Sequence, residues 1–181
     1  MKVPLIGRHS VHTALRAISV GLAEELTWHE IVGGLISGQP QLRLVAVHTA
    51  SGALLLDDTY NSSPESTMAA LNLLDDLGGR KIAVLGDMLE LGQYEKRGHE
   101  LVGTRTAEIA NSLITLGERG QIIASAALQA GMQKTSVASF DTAEQVIAHL
   151  KKILQPGDVA LIKGSHGMRM DRIVVALEVN K

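Results

Sequence analysis

The chain has 181 residues, 45% of them hydrophobic, which is enough for one good core or two small ones. Seventeen basic and nineteen acidic side chains leave a net charge of −2, so neither a polyanion nor an anionic membrane is an expected partner. The absence of cysteine excludes disulfides and thiolate metal sites, and an aromatic content of 2% argues against stacking platforms for single-stranded nucleic acid.

No apolar run approaches the ~18–20 residues a membrane span needs. The opening MKVPLIGRHSVH does not read as a secretion signal, because Arg8 and His9 interrupt it before an apolar stretch builds up. A cysteine-free chain suits a reducing compartment, and a cytoplasmic location is expected.

In chain order, a helix is predicted from Ser10 to about Glu25, with Val11, Ala14, Leu15, Ile18, Leu22 and Leu26 at helical spacing. Thr27-Trp28-His29-Glu30 has capping-box spacing and opens a second helix through Leu35, ended near Gly38-Gln39-Pro40. Two short strands, 42–48 and 53–57, flank Ala50-Ser51-Gly52 and form a hairpin. A helix over 64–77 has Ser63 as its cap and Pro64 at its first position. Apolar strands at 81–85, 112–116, 136–140 and 158–163 then alternate with helices near 95–110, 121–130, 141–154 and from about 168 to 178. The helix near 141 carries a second capping-box pattern, Asp141 to Glu144.

Strands this apolar are buried on both faces, which requires helices on both sides of a parallel sheet. The fold class is therefore α/β, a Rossmann-like doubly wound and mostly parallel sheet, preceded by two helices and a hairpin. The expected division is 1–57 and 58–181, with the first segment too small to stand alone.

Ligands of open α/β sheets gather beyond the carboxyl ends of the strands, so three polar strand exits matter. In Asp57-Asp58-Thr59-Tyr60-Asn61, two adjacent carboxylates either divide between solvent and turn amides or bind a hydroxyl or cation. In residues 86–92, Asp87 and Glu90 are candidates for an amine or a ribose hydroxyl; the alternative is an ordinary loop with a helix-capping aspartate. His99, inside the following helix, reads as structural. In residues 163–171, a Gly-rich turn after a strand forms an anion site, with Lys163, Ser165, His166 and Arg169 as donors. The spacing is not that of a P-loop, and none occurs elsewhere in the chain. His9 and His12 lie three apart without a third ligand nearby, so no metal site is assigned.

Together these stretches resemble the Mur ligases of peptidoglycan synthesis. The resemblance is carried by GRHSVHTALRAISVGL (7–22), LRL (42–44), DDTYNSSPESTMAAL (57–71), KIAVLGDMLELG (81–92), HELVG (99–103) and IKGSHGMRMD (162–171). It is most like the branch that joins D-Ala-D-Ala to UDP-MurNAc-tripeptide. The resemblance implies that 1–57 is the C-terminal remnant of a central ATP-binding domain and that 58–181 is the Rossmann-like C-terminal domain. It implies ATP-dependent amide formation by the whole enzyme, with ATP and Mg2+ as cofactors. The chain alone is expected to be inactive and to bind neither tightly, because the P-loop is absent. The missing N-terminal and P-loop domains, D-Ala-D-Ala and UDP-MurNAc-tripeptide are the implied partners.

Residue by residue, the resemblance puts Arg43, Asp58, Tyr60 and Asn61 beside the nucleotide, with Ser10 and Thr13 where the family's adenine-recognising H-N-x-x-N usually stands. It puts Asp87, Glu90, Lys163, Ser165 and His166 at the incoming amino acid or dipeptide. The usual N-A-N-P is N-S-S-P here, at Ser62 and Ser63, and the usual K-G-S-R is KGSH, with an imidazole for a guanidinium. Two alternatives stay open: a ligase adding a single amino acid, and a non-catalytic ligand-binding module on the same scaffold.

Overall fold

A computed structural model describes residues 10–37 and 44–179 of the chain. It divides into two compact units, Met1–Arg43 and Leu44–Lys181. The first contains α1 (Ser10–Ala23) and α2 (Trp28–Ser37). Thr27 and Glu30 form the predicted box: the Glu30 carboxylate accepts the Thr27 N–H at 2.8 Å, and the Thr27 hydroxyl accepts the Glu30 N–H at 3.3 Å. The helices meet where Gly21 faces Ile31, and a Cβ at Gly21 would lie 2.8 Å from the Ile31 side chain. Ile31 is the one buried hydrophobic side chain among the described residues of this unit. The predicted apolar positions Val11, Leu15 and Leu22 are exposed, as is Trp28.

The second unit contains β1 (Val45–His48), β2 (Leu54–Asp58), α3 (Pro64–Asp76), β3 (Lys81–Gly86), α4 (Glu95–Ile109), β4 (Ser112–Leu116), α5 (Gly120–Gln129), β5 (Val137–Phe140), α6 (Ala143–Ile153), β6 (Val159–Lys163) and α7 (Asp171–Leu177). The strands form one sheet in the order β1-β2-β6-β3-β4-β5. Among the named strands only β1 and β2 pair antiparallel, with an isolated antiparallel bridge between Thr49 and Glu178 beside them. All of β6 is buried, as are five of the six residues of β3, which accounts for their uninterrupted apolar sequences. Leu71, Leu74, Val102 and Ile123 from α3, α4 and α5 cover one face. Val146, Leu150, Ile173 and Val174 from α6 and α7 cover the other. This is the doubly wound arrangement read from the sequence.

The division between units falls at 43/44 rather than 57/58. The physical reason is the ladder between β2 and β6, which runs from Leu54 opposite Val159 to Asp58 opposite Lys163. A two-stranded hairpin is marginal alone and gains its stability by joining a larger sheet. The hairpin therefore sits with the sheet and not with the two helices that precede it.

Two helix starts carry reciprocal caps. Ser63 caps α3, and Ser66 completes the reciprocal pair, with Pro64 in the first turn as predicted. At α6 the cap is one residue later than the sequence pattern suggested: Thr142 and Gln145 form the box, not Asp141 and Glu144. The Glu144 carboxylate lies 3.0 Å from Arg172 of α7 instead, so its charge serves a pairing between helices. No helix among the described residues is long and apolar enough to cross a membrane.

Strand order positions the site. β6 lies between β2 and β3, yet it leads to α7 on one face while its two neighbours lead to α3 and α4 on the other. Chains diverging to opposite faces leave a crevice beyond the carboxyl ends of these three strands.

Candidate functional site

The three polar exits singled out in the sequence leave these three adjacent strands. Asp57 and Asp58 have separate tasks, because successive side chains in a strand point to opposite faces. The Asp57 carboxylate accepts the Thr59 N–H at 3.1 Å and the Thr59 hydroxyl at 2.7 Å, which closes the turn after β2. Asp58 stands opposite Lys163 in the ladder. Its carboxylate lies 2.6 Å from the Lys163 ammonium, which also donates to the Asn61 carbonyl at 2.9 Å.

Lys163 is 2% exposed. Its charge ties the end of β2, the Asn61 backbone and the end of β6 together. It stands behind the residues that line the cleft rather than among them. Burial of an ammonium demands partners within hydrogen-bond range, and these two acceptors are among them.

Asp87 stands behind the lining in the same way, and takes the helix-capping role that was one of its two readings. It is 4% exposed, and its carboxylate accepts the Gly120 N–H at 2.8 Å. Helix α5 has no side-chain cap of its own, so Asp87 supplies one from β3 across space. Arg119 lies 3.6 Å from the other Asp87 oxygen and also pairs with Glu95 at the start of α4. The Glu95 hydrogen bond, then the charges of both carboxylates, raise the affinity of the Arg119 guanidinium for its proton. Gly117 makes the approach possible: its φ is +99°, and a Cβ there would meet Asp87 Oδ1 at 2.5 Å. The aspartate reads as a cap, but of a helix two elements away.

What remains open is a cleft of about 290 Å³, lined by Tyr60, Asn61, Leu89, Glu90, Ser165, His166 and Gly167. Tyr60 and His166 face each other across it, ring centroids 6.0 Å apart. Ser165 Oγ accepts the Leu89 N–H at 2.8 Å, which leaves its own proton to donate. The Ser165 N–H donates to the Asp87 carbonyl at 3.0 Å, so the turns after β3 and β6 are fastened to each other. Glu90 is exposed on the cleft wall with φ +65°, a left-handed conformation that a non-glycine residue holds only when its surroundings fix it.

Of the predicted site residues, Tyr60, Asn61, Glu90, Ser165 and His166 therefore share one cleft, and Asp58, Asp87 and Lys163 form its buried frame. Thr13 is exposed on the first turn of α1 and Ser10 begins that helix, both in the other unit. Arg43 and His9 lie outside the described residues. Among the described residues no group of three or more His, Asp or Glu side chains converges as a metal site would require.

Sequence reading passed over Arg119 and Gly120. The signal was present, since Gly117-Glu118-Arg119-Gly120 follows β4 and is a fourth polar strand exit in the same sheet. Met170 also escaped notice. It is fully buried, and its sulfur occupies the space where Cβ atoms of Gly86 and Gly164 would be, at 2.4 and 2.3 Å. The two glycines at the strand exits thus admit a side chain that plugs the sheet's end. A second hollow, about 550 Å³, lies between α4 and α5, with Glu95, Glu100 and Glu118 interspersed with Lys96 and Arg119.

The family described as "Mur ligase, glutamate ligase domain" matches residues 42–166. A UDP-N-acetylmuramoyl-tripeptide–D-alanyl-D-alanine ligase of Bacillus subtilis (strain 168) is 34% identical over 95% of this chain and 38% of its own length. The Escherichia coli (strain K12) protein of the same description is 31% identical over 98% of this chain and 39% of its own length. A crystal structure of MurF from Acinetobacter baumannii superposes with a TM-score of 0.78 and 32% identity, over 96% of this chain and 38% of that one. The Thermotoga maritima MurF ligase, solved in complex with ADP, gives 0.69 and 26% identity over 88% and 35%. The chain thus spans less than two-fifths of the length of these relatives. With the family match extending over most of the sheet and both cleft-forming turns, the chain belongs to the Mur ligase family.

Proposed function

We propose that this chain is the acceptor-binding part of an ATP-dependent, amide-forming ligase of peptidoglycan precursor synthesis, one that adds D-Ala-D-Ala to UDP-MurNAc-tripeptide. The observation that carries this reading is the cleft at the strand exits. Donors at Ser165 and His166 and a carboxylate at Glu90 share its wall. A zwitterion with a carboxylate at one end and an ammonium at the other suits that donor and acceptor set. The volume, about 290 Å³, is at the small end of ligand clefts and matches a small acceptor rather than a nucleotide. The relatives named for D-alanyl-D-alanine ligation make that dipeptide the acceptor of choice.

In the whole ligase, ATP bound with Mg2+ supplies the activation of the tripeptide carboxyl. Tyr60 and Asn61, exposed beside the crevice, fit the nucleotide's edge of the site, with Asp58 held behind them by Lys163. The Mg2+ ion travels with the ATP phosphates, so its place is in the ATP-binding part of the ligase. The contribution of this chain is to hold the acceptor so that its amine approaches along one direction, which converts a bimolecular encounter into a positioned one. Residues 1–43 fit the end of the ATP-binding domain: α1 and α2 expose Val11, Leu15, Leu22 and Trp28, which the body of such a domain would cover. A nucleotide-linked substrate suits a cytoplasmic reaction.

The test is a fusion of this chain to the upstream part of the Bacillus subtilis relative, assayed for phosphate release from ATP with UDP-MurNAc-tripeptide and D-Ala-D-Ala. Turnover by the fusion and none by this chain alone is the expected result. A folded fusion that binds ATP but never accepts the dipeptide would overturn the assignment, as would turnover by this chain alone.

A further inference from the structure

His99 is fully buried in α4, and the sequence alone marks it as structural filling. Its two ring nitrogens have partners of opposite kind. Nδ1 lies 2.7 Å from the Glu95 carbonyl, one turn earlier in the same helix. A carbonyl only accepts, so Nδ1 carries a proton. Nε2 lies 3.0 Å from the Met88 N–H, which only donates, so Nε2 carries none. The ring is neutral, and its tautomer is fixed by these two contacts.

Met88 adjoins the two residues that form one wall of the cleft, Leu89 and Glu90. The loop is fastened at three successive points: Asp87 to the start of α5, Met88 to His99, and Leu89 to Ser165. Glu90 then takes its left-handed conformation with no freedom left before it. We propose that His99 is a positioning residue for the acceptor: by accepting the Met88 N–H it holds Leu89 and Glu90 in register with Ser165 and His166. This rests on the acceptor reading of the cleft. A residue that positions through one acceptor atom is replaceable by another acceptor at the same place, whereas one that only fills space is not so selective.

The experiment has two arms on the intact 181-residue chain. Long-range 1H–15N correlation of the His99 ring is expected to show a neutral imidazole protonated at Nδ1; a proton on Nε2, alone or in a charged ring, would overturn the proposal. In the second arm, His99→Gln sets an amide oxygen near the Nε2 position, and His99→Asn sets its amide near Nδ1. The Met88 amide is expected to exchange at the wild-type rate in the Gln variant and at least about tenfold faster in the Asn variant. D-Ala-D-Ala, titrated by NMR, is expected to bind the Gln variant within about threefold of wild type and the Asn variant about tenfold more weakly. Equal behaviour of the two folded variants would overturn the positioning role. If the unsubstituted chain takes no dipeptide, the acceptor reading falls, and the ring spectrum and Met88 exchange still decide for or against His99.

Discussion

Lys163 has exchanged its hydration for protein partners that include the Asp58 carboxylate and the Asn61 carbonyl, at 2.6 and 2.9 Å. The pair sits where β2 and β6 end side by side, so its loss would loosen both turns that frame the cleft. Removing one member strands the other in a buried site. Lys163→Met is therefore expected to cost about 3–5 kcal/mol, while Lys163→Met with Asp58→Leu recovers much of it, by urea unfolding of both variants. Equal stability of the single and double variants would show that the pair is not coupled. A second ion pair, Arg80 with Asp158, contributes a pH-dependent share of stability. Arg80 grips Asp158 through two nitrogens at 2.9 and 2.6 Å, and the Gln155 N–H adds a third bond at 2.8 Å. The Arg80 hydrogen bond foremost, against the opposing effect of burial, holds the Asp158 carboxyl below its usual range. A depressed folded-state value contributes stability in full above the unfolded value near 4 and loses it as pH falls through the folded one. Asp158→Asn should thus cost about 1–3 kcal/mol at neutral pH, the gap to wild type closing below about pH 4. Urea midpoints at pH 7 and pH 3 check this, and a constant gap would contradict it. The sequence singled out Asp87, Lys163 and Asp58 but not whether each faces ligand or frame. A carboxylate at a strand exit suits both uses, and only the position of Gly120 or Asn61 in space chooses between them.

Helix α5 illustrates why elements were easier to read than contacts. Its start after β4 was legible from periodicity, and it begins at Gly120, one residue from the predicted Gln121. Its cap was not legible, because the capping carboxylate is 33 residues away. Asp87→Ala removes that cap and the counter-charge of Arg119, and a loss of about 1–2 kcal/mol is expected. Faster amide exchange confined to the first turn of α5 would locate the effect, and an unchanged first turn would refute it. The caps that were legible are local: Thr27 with Glu30, and Ser63 before Pro64. Where two local patterns competed at α6, Thr142 and Gln145 prevailed over Asp141 and Glu144, since Glu144 has Arg172 to pair with on α7.

For the whole molecule, the alternation of apolar strands and amphipathic helices dictated a parallel sheet covered on both faces, and strand order then placed the exits of β2, β6 and β3 side by side. Strand order is not written in local sequence, because it depends on which edges pair after the helices pack. The same limit explains the hairpin, whose attachment to β6 shifts the division between units to 43/44. Two hollows among the described residues of the second unit give competing addresses for a ligand: the cleft at the strand exits, and the charged groove between α4 and α5. Titration of the isotopically labelled chain with D-Ala-D-Ala, followed by amide shifts, separates them. Saturable shifts at Leu89, Glu90, Ser165, His166 and Gly167 are the result that follows from acceptor binding at the strand exits. Shifts confined to the groove around Lys96 and Arg119, or none at all from a folded chain, would contradict it.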